Sequence, residues 1–311
     1  TILEHFCENK EEKELAGADM FLWNNMNDAY CQSIMGYRDR SGLTAGSAKS
    51  RGWDENRLIT YQESHDEERT MYKAETWGIT SIKDNAGTRI RQAQTNAAFL
   101  ACTPGPKMGW QFGELGYDYS IDYNGRTGKK PVKWDYYDDS NRVSLYETYS
   151  KLFELRGLYP ELFSSPETEI MKTDESDWES GRFITLKKGD SVIVLAGNFT
   201  DNDIQTSIAL GAKTPFSVTL PPHSYKLYMD GITPNENIAV KNDECKFILK
   251  GETLTVEYTG EIEQVTIYTF GGKPLKSVKN KISTTDIPKG IYLATARTPN
   301  GKVFSKKIVI R

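Results

Sequence analysis

Histidine is the scarcest reactive side chain in this sequence of 311 residues. There are three, His5, His65 and His223, too few for a metal centre built on several imidazoles. Cysteine is almost as rare: Cys7, Cys31, Cys102 and Cys245 stand far apart with no Cys-x-x-Cys pair, so their spacing signals neither a zinc site nor a disulfide scaffold. They read as single buried thiols, and no metal or cofactor is expected for this chain. No run approaches the ~20 apolar residues of a membrane-spanning helix, and mean hydropathy is −0.58. The formal net charge of −4 argues against nucleic acid as a partner. The sequence opens Thr-Ile-Leu with neither an initiator Met nor a signal peptide, which raises the expectation of a missing upstream segment.

Tryptophan and histidine both vanish after residue 223. From Asn235 onward the chain carries 13 basic and 8 acidic residues, whereas the preceding part carries 26 and 35. A change of sign together with the loss of Trp places a boundary near Gly231-Ile232-Thr233-Pro234-Asn235, a short polar stretch with the Pro and Asn of a linker.

Before that boundary the hydrophobic pattern has two regimes. Up to about residue 163, short apolar runs (Ile2-Leu3, Met20 to Trp23, Leu58 to Tyr61, Lys107 to Gln111) alternate with helical stretches over 8–15, 27–36, 90–101 and 144–158. Strands alternating with helices predict parallel β/α units, and four of them make half of an eight-fold barrel. From Phe183 the rhythm becomes β: a hairpin turning at 187–190, then strands near 206–210, 216–220 and 225–229. The tail repeats the β pattern around Leu254, Val265, Ile291 and Ile308. The expected architecture is α/β plus all-β. It comprises the second half of a (β/α)8 barrel over 1–163, a β-sandwich over 164–233 and a small β domain over 235–311.

Parallel β/α barrels carry their chemistry at the C-terminal ends of their strands. Glu4 and His5 follow the first run, Trp23, Asn24 and Asn25 close the second, Gln62 to Asp66 follow the third, and Phe112, Gly113 and Glu114 follow the fourth. Carboxylates, an imidazole and an indole gathered on one face suit glycoside chemistry. There, one carboxylic acid protonates the leaving oxygen, a carboxylate supports the oxocarbenium charge, and an aromatic plane carries the sugar.

The segment Tyr61-Gln62-Glu63-Ser64-His65-Asp66-Glu67-Glu68-Arg69 resembles the seventh-strand motif of the α-amylase superfamily, glycoside hydrolase family 13, which usually reads Asn-His-Asp. Ile2-Leu3-Glu4-His5-Phe6 is similar to the fifth-strand segment ending in that family's acid/base glutamate. Thr103 to Glu114 is similar to its eighth-strand entry, a Pro-Gly turn leading to Gly-x-Glu. Leu155-Arg156 followed by Pro160 resembles the last barrel helix, and Leu220 to Tyr225 the closing strand of its β domain. The resemblance covers about 1–230. It implies Glu4 as general acid/base, Asp66 as the second carboxylate bonded to sugar hydroxyls, His65 as a hydrogen-bond donor to the same hydroxyls, and Trp23 as a stacking platform. Ser64 stands where the family has Asn, keeping a hydrogen-bonding group on a shorter arm.

The family's nucleophile, an Asp in a Gly-x-Arg-x-Asp strand preceding the acid/base strand, has no room before Glu4. Gly36-Tyr37-Arg38-Asp39-Arg40 follows Glu4 and does not supply it. The resemblance therefore implies an enzyme acting on α-1,4-glucans by a retaining two-carboxylate mechanism, with this chain as its C-terminal part, inactive alone. That part either self-associates or pairs with the upstream half. Calcium is admitted in the longer enzyme. A branching enzyme or transglycosylase uses the same carboxylates, and an inactive carbohydrate-binding module is the alternative outside catalysis.

In the tail, Val265 to Lys273, Ile287-Pro288-Lys289-Gly290-Ile291-Tyr292-Leu293 and Lys306-Lys307-Ile308-Val309-Ile310-Arg311 resemble the C-terminal sorting domain of the type IX secretion system. This implies secretion to, or display on, the outer surface of a Bacteroidetes-type bacterium, with the secretion machinery as partner. The remaining polar residues have blander expected roles. Glu63, Glu67, Glu68 and Arg69 read as rim salt bridges and solvated charge, Glu114 as structural, Asp118 and Asp122 as loop solvation, and His223 as a loop residue.

Overall fold

The computed structural model describes residues 1–231, 245–258, 261–269, 273–279, 281–299 and 303–310. Most of the linker segment (232–235), Phe270, Gly271, Gly272 and Arg311 lie outside the described residues. The chain divides into two compact units, Thr1–Pro234 and Asn235–Arg311. No helix among the described residues is long and apolar enough to cross a membrane.

The first unit opens with β1 (Ile2–Leu3), α1 (Asn9–Gly17), β2 (Phe21–Asn25), α2 (Asn27–Met35) and β3 (Leu58–Tyr61). The strands pair in parallel in the order β1-β2-β3, with Leu3 beside Leu22 and Leu22 beside Leu58. This brings Glu4, Asn25 and Gln62 to one end of the sheet. The expected fourth strand over 107–111 contracts to a single parallel bridge, Thr60 to Lys107, bonded through the Pro106 carbonyl and the Met108 amide. Pro104 and Pro106 have no N–H to extend a ladder, and Phe112, at φ +60°, turns the chain away.

Next come α3 (Thr70–Trp77), α4 (Thr80–Lys83), α5 (Ala86–Cys102), α6 (Ser140–Leu158) and α7 (Pro160–Ser164). Asn85 caps α5 by accepting from the Thr88 amide, and Asp139 caps α6 by accepting from Asn141. The short helices α3 and α4 are additions to the expected pattern. In α6, Leu145 and Leu152 face inward, and Phe153 lies outward.

The antiparallel part comprises β4 (Thr168–Lys172), β5 (Arg182–Lys188), β6 (Ser191–Asn198), β7 (Ile204–Ile208), β8 (Phe216–Leu220) and β9 (Ser224–Asp230). They form a four-stranded sheet, β4-β5-β6-β9, and a separate pair, β7-β8. The unbroken apolar run in β6 has a physical reason. Ile193 and Leu195 pack with Phe99 and Leu100 of α5, while Val192, Val194 and Ala196 pack with Ile204, Ile208 and Leu220, so both faces are buried. Gly197 is required where β6 meets α5, because a Cβ there would lie 2.3 Å from the Phe99 ring.

The second unit holds β10 (Lys246–Lys250), β11 (Thr253–Glu257), β12 (Gln264–Tyr268), β13 (Pro274–Val278), β14 (Lys281–Ser283), β15 (Gly290–Arg297) and β16 (Val303–Ile310). They make two antiparallel sheets, β10-β11-β14 and β13-β12-β15-β16. Tyr292, Ala294 and Ala296 alternate inward from β15 and join Phe247, Leu254 and Ile282 in one core. The whole is a mixed α/β architecture with several antiparallel sheets.

Candidate functional site

Parallel register brings three of the four residues singled out from the sequence together. Trp23 lies level with Ile59 near the end of β2, its indole edge-on to Tyr61 at 5.6 Å and to His65 at 6.0 Å between centroids. The Glu4 carboxylate lies 3.8 Å from His65 Nε2, both side chains about half exposed. Asp66, next in sequence, is held by Arg126: one Nη2 donates to its backbone carbonyl at 2.5 Å and to Oδ1 at 3.0 Å. His65 thus faces Glu4, whereas the Asp66 side chain is turned to Arg126.

His65 and Asp66 line a cleft of about 360 Å³ with Trp110, Gln111, Tyr117 and Arg126. Trp110 stands 6.0 Å from the His65 ring, so the imidazole sits between two indoles. The cleft itself offers one carboxylate, Asp66, with a ring N–H, a guanidinium and aromatic planes, while Glu4 and Trp23 reach His65 from outside its lining. These are the groups that hold a polyhydroxylated ring and support a developing positive charge.

The 62–69 loop owes its shape to the residues expected to be solvated, and the structure corrects those readings. Glu63 and Arg69 are buried. Arg69 Nη1 donates to the Ser64 carbonyl at 2.5 Å and to that of Glu67 at 3.1 Å, curling the loop. Ser64 donates to Glu67 and accepts from the Asp66 amide at 3.3 Å, so the shorter side chain still braces Asp66. Glu67 also accepts from Asn25 at 2.6 Å, and Glu68 accepts from Ser120 Oγ and the Ile121 amide, both at 2.8 Å. Asp118 is not solvated either: Arg142 and Tyr136 take it. His223 does lie in the turn before β9, but it is buried. It lies between Gln92 at 2.9 Å and Asp201 at 2.8 Å, and burial draws its pKa down.

Glu63 closes the floor of a neighbouring apolar cavity of about 250 Å³ lined by Trp110, Gly113, Glu114, Tyr149 and Phe153. Its Oε1 accepts from the Thr70 amide at 2.7 Å and hydroxyl at 2.6 Å, at the N-terminus of α3, while Oε2 has no partner. Burial pushes the Glu63 carboxyl up, against the pull of Thr70 and Arg69, and burial raises Glu114 as well. A group with a raised folded pKa gives its full stability below the unfolded pKa and loses it as pH rises through the folded one. Glu63→Gln removes the ionisable group and keeps the acceptor for Thr70. Its stability relative to wild type is therefore expected to improve from pH 4 to pH 7 by at least about 1 kcal/mol, the cost scale of an uncompensated buried polar group. Urea unfolding at a series of pH values measures this, and a difference that does not change with pH refutes it.

Trp110 and Arg126 had no assigned role in the sequence reading. Trp110 was readable in principle, as the indole within the fourth run, 107–111. Arg126 has no sequence signal, because its approach to Asp66 spans sixty residues.

No protein-family model and no curated protein matches the chain. Solved structures do. The chain is similar to the gamma-CGTase from alkalophilic Bacillus clarkii at 11% identity, covering 99% of this chain and 48% of that one, with a TM-score of 0.54. It is similar to the α-amylase from H. orenii at 14% identity, covering 74% of this chain and 53% of that one, with a TM-score of 0.51. The chain thus spans about half the length of either enzyme. At these identities the likeness is one of fold, and the mixed α/β and antiparallel arrangement is consistent with the C-terminal part of amylase-like folds.

Proposed function

We propose that this chain is the C-terminal part of an α-amylase-type glycoside hydrolase, carrying the acid/base Glu4 and the sugar-binding Asp66 and His65 of a retaining site for α-1,4-glucans. The observation that carries the reading is His65, within 3.8 Å of Glu4, adjacent to Asp66 and set between Trp23 and Trp110. In this mechanism Glu4 gives its proton to the leaving oxygen. Asp66 and His65 bind ring hydroxyls more tightly as the ring flattens, and an indole carries the apolar sugar face. The nucleophile comes from an upstream strand. Among the described residues β1 is paired on one side only, and Ile2 and Phe6 beside it are exposed. This fits a sheet edge completed by the upstream half or by a second copy. We read the second unit as a secretion-sorting domain, on the strand Gly290–Arg297 and the basic, β-branched strand after it.

The test is release of reducing ends from soluble starch by the complete polypeptide and by residues 1–311 alone. Activity is expected only in the complete polypeptide. An inactive complete polypeptide that binds no maltooligosaccharide overturns the assignment, and turnover by 1–311 overturns the division of carboxylates between the halves. Product analysis shows whether water or another sugar accepts the glycosyl group.

A further inference from the structure

Beside the sugar site, the loop joining β1 to α1 brings three unlike donors together. His5 Nε2, Cys7 Sγ and a Glu11 carboxylate oxygen all lie within 4.8 Å of one another, and His5 Nε2 is 3.0 Å from Glu11 Oε1. From this geometry we infer that His5, Cys7 and Glu11 form a binding site for a zinc-class divalent ion. The reading is independent of the glucan assignment. It also goes beyond the sequence, whose cysteine spacing signals no such site.

The donor set selects the metal class. Imidazole nitrogen with thiolate sulfur and one carboxylate oxygen suits zinc or cobalt, whereas magnesium and calcium take oxygen ligands. Bond lengths of about 2.0–2.3 Å to N, O and S call for a closer cluster than the 4.8 Å bound, a contraction that rotation of exposed or half-exposed side chains supplies. Three protein ligands leave the fourth tetrahedral position to water.

The platform is fixed even though the donors are exposed. Asn9, in the first turn of α1, accepts from Trp53 Nε1 at 2.7 Å and from Arg51 Nε at 3.1 Å. Lys13 reaches the Gly52 carbonyl at 2.6 Å. Glu12, the other acid of that turn, is buried and committed to Arg51, which leaves Glu11 to face His5 and Cys7. A thiol binds the metal as thiolate, so metal binding releases a proton to solvent and tightens as pH rises.

The experiment is a cobalt(II) titration of the untagged, reduced chain, read by the sulfur-to-cobalt charge-transfer band in the near ultraviolet, followed by back-titration with zinc. The expected result is a saturable band at one equivalent that zinc displaces and excess magnesium does not. Cys7→Ser abolishes the band, His5→Gln weakens binding at least about tenfold, the step lost with about 1.4 kcal/mol of binding energy, and Cys245→Ser leaves both unchanged. His5 is exposed and Cys7 half-exposed, so metal-free thermal unfolding of these two variants should match wild type. No band in wild type, a band that survives Cys7→Ser, or displacement by magnesium overturns the proposal.

Discussion

Glu4→Gln in the complete polypeptide is expected to lower kcat on an α-glucan by about 10²–10⁴-fold, the range for loss of a positioned general acid. Thermal stability should be unchanged, because the Glu4 side chain is 44% exposed and touches His65 only at 3.8 Å. The distinguishing measurement is the leaving group. An alcohol leaves a glycosidic carbon only with a proton, whereas a nitrophenolate leaves without one. The Glu4→Gln defect in glycosylation should therefore shrink sharply on an aryl glycoside. Asp66→Asn should be equally impaired on both substrates, since the ring hydrogen bonds proposed for it do not depend on what departs. Equal losses for Glu4→Gln on both substrates, or a loss below tenfold on glucan, refute the acid/base assignment.

What the sequence made legible follows from period and chain order. The runs around Leu22 and Leu58 are short, apolar and followed by polar residues, so their pairing as parallel strands, with Glu4 and Asn25 at one end, was readable before any coordinates. The run around Val192 was readable as one arm of a hairpin, whereas the burial of both its faces comes from packing against α5 and against β7 and β8. What stayed hidden depends on partners far away in sequence. Glu63 and Arg69 look like surface charge because no local signal shows the Thr70 amide or the Ser64 carbonyl waiting for them. His223 looks like a loop residue beside two prolines, yet it ties Gln92 of α5 to Asp201 across more than a hundred residues. The fourth strand was over-read for the converse reason. The run 107–111 carries its own N–H groups but keeps only the bridge at Lys107, because Pro106 before it cannot donate and Phe112 after it turns the chain away.

Arg182 is the position where a single change should cost the fold most. It opens β5, and its guanidinium is fully buried. Nη2 donates to Ser41 Oγ at 2.6 Å, Nη1 to Ser33 Oγ at 3.3 Å and Nε to the Asp174 carbonyl at 3.3 Å. Its plane lies 5.0 Å from the Trp178 ring centroid and 5.1 Å from that of Phe199. Burial lowers its pKa to about 10, partly offset by Asp177, Asp174 and Glu175, so it remains charged at neutral pH. Arg182→Ala removes every one of these contacts and leaves a cavity, at an expected cost of about 3–5 kcal/mol. That corresponds to about 10 °C in Tm for a unit of this size. Arg182→Lys keeps the buried charge but loses the planar fork that spans both serines and stacks on two rings. It should be less stable than Arg182→Met, which fills the space without burying a charge. Tryptophan fluorescence during urea unfolding isolates the effect, because all six tryptophans lie before residue 179 and report on the first unit alone. An Arg182→Ala variant within about 1 kcal/mol of wild type, or a lysine variant more stable than the methionine one, would show that the stacked, forked guanidinium is not what fastens β5 to α2.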